Sequence, residues 1–190
     1  MAEAVILKCE SDLTIPQIEA VAYGRARVEL DPAARQRIGA FRQRAEDELS
    51  AALAADDGKR VYGLNTGFGS NFTDYVSPAA LKDLQRNLII SHCAGVCPNA
   101  PAAVARATML LGAASLARIH SIVRPLVIET LIELLNKNIT PAIPRHGSVS
   151  ASGDLAPLSH VAAVVIGEGR VLGGNGDAIP TSLFLNNNPG

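Results

Sequence analysis

Prolines divide this sequence into segments whose apolar residues recur every three or four positions. Proline suits the first turn of a helix, where the backbone N–H has no partner within the helix. The longest such segment opens at Asp31 and Pro32 and ends near Gly58. Its apolar residues fall on one face of a helix; they are Ile38, Phe41, Ala45, Leu49 and Leu53. The spacing therefore predicts a mainly α-helical chain.

The same signals predict the remaining elements. Further helices are expected from Thr14 and Pro16 to Gly24, from Ser77 and Pro78 through Ile89, from Pro101 towards His120, from Pro125 through Leu135, and from Asp154 to Ile166. Strand is minor: residues 27–30, a short extended piece at 59–62, and a small hairpin or loop at 167–180. We expect residues 186–190 to be loose. No repeat or linker divides residues 1–190, so we expect one domain.

Bulk composition excludes several classes of protein. Apolar residues make up 48% of the 190 residues and charged residues 18%, which argues against disorder. The net charge of −1 provides no electrostatic footprint for nucleic acid, and no apolar run is long enough to span a membrane. The low charge also suggests that part of the surface is covered by another surface.

The three cysteines and the first residues bear on compartment and metal binding. Cys93 and Cys97 have no second Cys or His pair to complete a zinc site, so we expect no metal. We interpret both, and Cys9, as reduced, buried thiols of a cytoplasmic protein. Glu3 and Lys8 interrupt any secretory leader.

The strongest chemical signal is residues 147–160, GSVSASGDLAPLSH. Small residues dominate its first half, and one interpretation is a tight loop in which Asp154 caps the following helix. The other is that the Gly153 nitrogen attacks the Ala151 carbonyl in a strained turn, since glycine has no Cβ to prevent the approach. Loss of water would close a five-membered ring, and loss of the Ser152 hydroxyl would leave a methylidene electrophile. No protein side chain supplies a comparable electrophile.

Three segments together resemble the histidine and aromatic amino acid ammonia-lyases. Residues 147–160 look like the family's signature, including the DLAPL that follows the tripeptide. Residues 62–69, YGLNTGFG, resemble its active-site loop, and residues 84–96, LQRNLIISHCAGV, its substrate-pocket helix. The resemblance implies the N-terminal part of the fumarase/aspartase-like ammonia-lyase fold, with minor β. It also implies a methylidene-imidazolone formed from Ala151, Ser152 and Gly153, without external cofactor.

The resemblance assigns roles within the loop. The hard step is removal of a weakly acidic proton from the substrate β-carbon, which the family gives to the tyrosine that is Tyr62 here; Tyr62 taken alone would be a strand-end aromatic. Asn65 would hydrogen-bond substrate or cofactor, or simply form a turn. Leu64 would line the substrate site. A lid over the substrate would be formed by Gly67, Phe68 and Gly69.

The residue pair Ser91 and His92 bears on substrate choice. In the family this pair lies in the side-chain pocket, and serine followed by histidine resembles the histidine-specific members. A histidine alone is more often structural, which is our expectation for His120, His146 and His160. Asp154 would support the cofactor from the start of the helix behind it.

Two departures from the family pattern stand out. The chain has Gly112-Ala113-Ala114 and Ile119-His120-Ser121-Ile122 where members usually show Arg-Ala-Asn and Gly-x-Ser-Gly. Members are also much longer and act as tetramers. Three hypotheses follow: a lyase that converts L-histidine to urocanate; a phenylalanine or tyrosine lyase or aminomutase; and a non-catalytic fragment that associates with a complementary subunit. The expected partners are an amino acid substrate and further copies or a C-terminal chain.

Overall fold

Seven α-helices and six short strands make up the part of the chain that the computed structural model describes, which is residues 4–10, 12–54, 60–62, 65–148, 153 and 155–187. The helices are α1 (Ile15–Ala22), α2 (Pro32–Ala54), α3 (Leu81–His92), α4 (Ala102–Ala117), α5 (Pro125–Asn136), α6 (Leu155–Val165) and α7 (Thr181–Asn187). The strands are β1 (Val5–Leu7), β2 (Val28–Leu30), β3 (Val96–Asn99), β4 (Pro144–His146), β5 (Arg170–Leu172) and β6 (Ala178–Pro180). The predicted mainly α class is confirmed.

Local sequence signals account for the helix starts. Thr14 precedes α1, and its backbone N–H donates to Gln17 Oε1 at 2.9 Å. At the start of α2, Asp31 Oδ1 accepts the Ala34 N–H at 2.9 Å, which satisfies a donor that has no partner within the helix. Pro125 stands in the first turn of α5. Each of these helices begins where the sequence predicted.

Several local predictions were wrong. Residues 60–62 form no strand, while Lys59 lies outside the described residues. Asn186 and Asn187, expected to be loose, belong to α7. Strands β1, β3 and β4 were not predicted, because each is three or four residues long and is defined by a partner far away in sequence.

The core lies between α1, α4 and α5 and is closed on one side by the parallel pair β1 and β2. Val5 pairs with Val28 and Leu7 with Leu30. The buried residues of this core that are less than 2% exposed include Val21, Val28, Ala105, Met109, Leu110, Ala113, Ala117, Ile128 and Leu135. Burial of apolar area on this scale is the main stabilising contribution to the fold.

A charged side chain crosses this core. Arg106 on α4 is 6% exposed. Its guanidinium donates to the carbonyl oxygens of Val21 and Ala22 at the end of α1 and of Leu135 at the end of α5, at 2.8–3.1 Å. Burial lowers the pKa of this guanidinium. The last carbonyls of a helix lack partners within the helix and carry partial negative charge. Arg106 therefore supplies hydrogen-bond donors to the carbonyls at two helix ends.

The free edge of β2 is covered by a side chain. The amide of Asn136, the last residue of α5, donates to the Val28 carbonyl and accepts the Val28 N–H, both at 2.9 Å. This pair of bonds imitates a neighbouring strand and fixes α5 against β2.

Two antiparallel strand pairs connect the remaining helices. In the first, β3 and β4, Val96 pairs with His146 and Asn99 with Pro144. In the second, β5 and β6, the expected hairpin at 167–180 is confirmed. Helix α6 lies between the two pairs in sequence and packs on α3.

The cysteine prediction was wrong in part. The three thiols are free, as expected, but Cys9 and Cys93 are only half-buried and Cys97 is exposed. Burial raises the pKa of the Cys93 thiol. Within the described ranges no helix has the length and apolar character needed to cross a membrane.

Candidate active site

The loop that leads from Arg60 to Val76 is tied to itself by backbone bonds. The Val76 N–H donates to the Asn65 carbonyl at 2.9 Å, and the Gly67 N–H donates to the Asp74 carbonyl at 3.0 Å. Asn65 is 1% exposed, and its Oδ1 accepts the Val61 N–H at 2.7 Å. This bond ties the Asn65 side chain to the backbone at the start of the loop.

Tyr62 lies over the tip of the same loop. Its ring meets Phe68 edge-on, with 5.9 Å between centroids and 74° between planes. Its hydroxyl oxygen accepts the Gly69 N–H at a long 3.5 Å, and the side chain is 64% exposed. The phenol is thus held at the loop surface, where a molecule bound against the loop would meet it. Gly63 and Leu64 lie outside the described residues.

The two loop glycines are required for different reasons. A Cβ on Gly67 would lie 2.5 Å from the Asn71 carbonyl oxygen, so no side chain fits there. Gly69 has φ +57°, in the left-handed region that favours glycine. Close packing at Gly67 is a second reason for glycine, in addition to the predicted lid function.

Ser91 and His92 end α3 and fold back on its last turn. His92 Nδ1 lies 2.8 Å from the Leu88 carbonyl oxygen, and Ser91 Oγ donates to that same oxygen at 3.0 Å. Since a carbonyl only accepts, Nδ1 carries the proton and the lone pair of the neutral ring is on Nε2. Ser91 is exposed and His92 half-buried. The pair presents a hydroxyl and an acceptor nitrogen at the end of the helix.

The segment that carries the tripeptide is described only in part. Ala151, Ser152 and Asp154 lie outside the described residues, and so does the proposed Asp154 cap. Gly153 has φ +93°, and its carbonyl oxygen accepts the Leu155 N–H at 3.0 Å, directly before α6. A residue with a side chain would be strained at that φ. Glycine is therefore required at this end of the tripeptide.

Helices α3 and α6 run in opposite directions, which two contacts establish. Arg86, midway along α3, forms a two-bond ion pair with Glu168 just beyond α6, at 2.5 and 2.6 Å, and the bond raises the pKa of the Arg86 guanidinium. Gly95, just after α3, donates its N–H to Nε2 of His160 within α6 at 3.3 Å. The late residues Ser91 and His92 thus lie towards the end of α6 at which Gly153 stands.

His160 was expected to be structural, and the structure gives it a specific contact. Its ring is half-buried, and burial lowers its pKa. The neutral ring can accept the Gly95 N–H, whereas the protonated ring cannot. No local signal in the sequence indicates this contact, because the two residues are 65 positions apart. Elsewhere in the described residues, no group of three or more His, Cys, Asp or Glu side chains is arranged to hold a metal ion.

Comparison with known proteins identifies the family. The model of the aromatic amino acid lyases matches residues 13–188. This chain belongs to the aromatic amino acid lyase family. A histidine ammonia-lyase of Anaeromyxobacter dehalogenans is 45% identical over 168 residues, which are 88% of this chain and 32% of that protein. A tyrosine ammonia-lyase of Cupriavidus metallidurans is 50% identical over 125 residues, or 66% of this chain and 24% of that protein.

Solved structures of this lyase family share the fold. A tyrosine aminomutase from Streptomyces globisporus matches with a TM-score of 0.87 at 37% identity, covering 98% of this chain and 34% of that one. The fold is therefore the N-terminal part of the ammonia-lyase fold, as predicted. The chain spans about a third of the length of the curated relatives it matches.

One departure from the family pattern has a backbone consequence. Ile119, which stands where members usually have glycine, has φ +65° just after α4. A β-branched residue in the left-handed region costs on the order of 1–3 kcal/mol. Its partly buried side chain packs against the core, which offsets part of that cost.

Proposed function

We propose that this chain is the cofactor-bearing part of an ammonia-lyase, with a methylidene-imidazolone built from Ala151, Ser152 and Gly153. The observation that carries the proposal is the φ of +93° at Gly153, within a family signature and directly before α6. The residues fit the group, because glycine alone tolerates that φ without strain. When formed, the group supplies an electrophile that makes the substrate amine a better leaving group.

The remaining steps fall to the chain's own residues. Tyr62 takes the proton from the substrate β-carbon, and its exposed position at the loop surface supports this role. Gly67, Phe68 and Gly69 cover the substrate and exclude water. Leu64 and Asn65 line the site, and Asp154 supports the tripeptide from the start of α6.

For the substrate we favour L-histidine, with urocanate as the product. The support is the likeness to histidine ammonia-lyases together with the contacts of Ser91 and His92. A protonated Nδ1 leaves Nε2 of His92 as an acceptor for the imidazole N–H of a substrate.

Tyrosine is the second candidate, as substrate of a lyase or of an aminomutase. The likeness to a tyrosine ammonia-lyase has the higher identity over its shorter span, and a tyrosine aminomutase shares the fold. Phenylalanine belongs to the same alternative.

Part of the apolar surface of this chain is uncovered. Leu111 on α4 and Leu155 and Leu158 on α6 are 48–50% exposed, and the two helices adjoin where Leu158 approaches Gly112. Exposed leucines on adjoining helices favour a covering surface. We propose a homotetramer, or a complementary C-terminal chain, in the cytoplasm.

The test is the intact mass of the purified chain together with product formation. Ring closure removes one water molecule and elimination of the Ser152 hydroxyl removes a second, and Ser152→Ala prevents the second loss. The matched control is Ser182→Ala, at an exposed position on α7, which should keep the mass loss. Products from histidine, phenylalanine and tyrosine are then separated by chromatography, and urocanate alone supports the favoured substrate.

Each outcome decides between the three hypotheses. Cinnamate, coumarate or a β-amino acid would select the tyrosine or phenylalanine alternative. An unmodified mass with no turnover would favour a non-catalytic fragment. Turnover by Ser152→Ala equal to that of the parent would overturn the proposed chemistry.

A further inference from the structure

The backbone after α3 meets the backbone after β4 without room for a side chain between them, and side chains of α6 lie against both. A Cβ on Gly147, after β4, would lie 2.7 Å from the Gly95 Cα. A Cβ on Gly95, after α3, would lie 2.9 Å from Pro144 Cβ and 2.9 Å from His160 Nε2. Real Cβ atoms do not approach that closely, so both positions require glycine.

One face of α6 completes this junction. The Gly147 position faces Ala156, whose Cβ would be 3.4 Å from a Cβ on Gly147, and Ala156 is 7% exposed. His160 is one helical turn further along and accepts the Gly95 N–H at 3.3 Å. Gly95, Gly147, Ala156 and His160 therefore form a clamp that joins α6 to the ends of α3 and β4.

The clamp holds the two ends of the segment that carries the tripeptide. Gly147 precedes Ala151 by four positions, and Ala156 follows Gly153 by three. Because these ends are already in contact, the entropy of closing the intervening loop has been lost during folding rather than at the reaction. Backbone cyclisation is an intramolecular reaction. Its rate therefore depends on how far the reacting groups are already ordered and correctly placed.

From this arrangement we infer that the clamp sets the rate at which the tripeptide matures, separately from substrate handling. The inference rests on the proposed function. Maturation forms a bond between the Gly153 nitrogen and the Ala151 carbonyl carbon. The carbonyl oxygen leaves as water with the amide hydrogens of Ser152 and Gly153. The Ser152 hydroxyl then leaves as a second water with the hydrogen from its own Cα, and no oxidant is needed.

The test follows maturation in time. The full chain is made by cell-free synthesis, synthesis is stopped, and the loss of two waters is followed by intact mass. In Gly147→Ala the new Cβ displaces the Gly95 backbone, and we expect maturation about a hundredfold slower, the scale of a misplacement of about 1 Å. The matched control is Gly174→Ala, where a Cβ meets nothing within 4 Å, and it should mature like the parent.

A second pair of variants probes the clamp without adding backbone bulk. His160→Phe keeps a ring but cannot accept the Gly95 N–H, and we expect about fivefold slower maturation, the scale of one lost hydrogen bond. His160→Gln retains an acceptor oxygen and should recover most of the rate. A merely structural role would change the melting curve of both variants without separating their maturation rates.

The outcomes separate this inference from the proposed function. If the parent keeps both waters, the proposed function fails and the inference with it. If the parent matures and folded Gly147→Ala matures equally fast, the inference alone is overturned. If Gly147→Ala does not fold by circular dichroism, equal rates in folded His160→Phe and His160→Gln overturn it instead.

Discussion

Helix α4 buries six of its residues and α5 buries four, whereas α3, which carries Ser91 and His92, buries none. We call β1, β2, α1, α4 and α5 the scaffold, and residues 60–76 together with α3 the site-bearing part. The scaffold is closed by apolar packing and by Arg106 across two helix ends. The site-bearing part is shaped by backbone bonds and close glycine contacts.

The contrast is one of exposure, because the scaffold buries many of its large side chains and the site-bearing part leaves several uncovered. Tyr62, Phe72 and Tyr75 are each more than half exposed, although aromatic residues of this size usually find cover. A site assembled with further chains would show this combination of a closed scaffold and an open site. The three predictions that follow measure the contrast, beginning with the largest effect.

The first prediction compares the same substitution in the two parts. Leu110 on α4 is 0% exposed, and Leu110→Ala should lower the free energy of unfolding by about 2–5 kcal/mol through lost burial and a cavity. Leu88 on α3 is only partly buried, and Leu88→Ala should cost less than about 1.5 kcal/mol. Urea denaturation followed by circular dichroism measures both.

Equal losses for the two leucines would contradict the contrast, because α3 would then be as much a part of the core as α4. A loss at Leu88 that grows when further chains are added would sharpen it, since the missing cover of α3 would then come from those chains.

The second prediction concerns the polar seam of the scaffold, by which we mean the two hydrogen bonds between the Asn136 amide and the Val28 backbone. Asn136→Ala leaves the N–H and carbonyl of Val28 without their partner, and Val28 is 1% exposed. We expect a loss of about 1–3 kcal/mol, the cost of buried polar groups that lose their bonds. Asn186→Ala, at an exposed position on α7, is the control and should change stability by less than about 0.5 kcal/mol. Chemical denaturation of both variants would show whether the seam stabilises the scaffold; a loss at Asn136 no larger than the control's would mean that it does not.

The sequence predicts the scaffold's helices because their signals are local. Pro16 and Pro125 stand in the first turns of α1 and α5, and the apolar spacing along α5 marks the residues that it buries. The same local signals do not reveal β1, which forms only because Val5 meets Val28 across α1. Asn136 and Arg106 were missed for the same reason, since their partners lie 29 to 108 positions away in sequence.

The candidate site was predictable as a set of segments but not as a geometry. Residues 62–69 and 147–160 were singled out because they resemble segments of the family and occur in the same order. Nothing in either segment indicates that Asn71 leaves no room for a side chain at Gly67, or that Gly95 leaves none at Gly147. These are contacts between backbones, and a glycine in a sequence does not state whether it is present for its φ or for its lack of a side chain.

The third prediction concerns His160 on α6, a helix that contacts α3 and, in the scaffold, α4 and α5. Burial lowers the pKa of His160 in the folded chain, whereas in the unfolded chain it takes the ordinary value of about 6.5. The unfolded state therefore binds the proton more readily, so stability is full above about pH 6.5 and is lost as the pH falls towards the folded-state pKa. Protonation also removes the acceptor of the Gly95 N–H. Melting curves from pH 7.5 to 5.5 should show this decline in the parent and a flatter profile in His160→Gln. His120→Gln, at an exposed position, is the matched control and should retain the parent's slope; if it flattens the profile as much as His160→Gln, the decline does not come from the clamp.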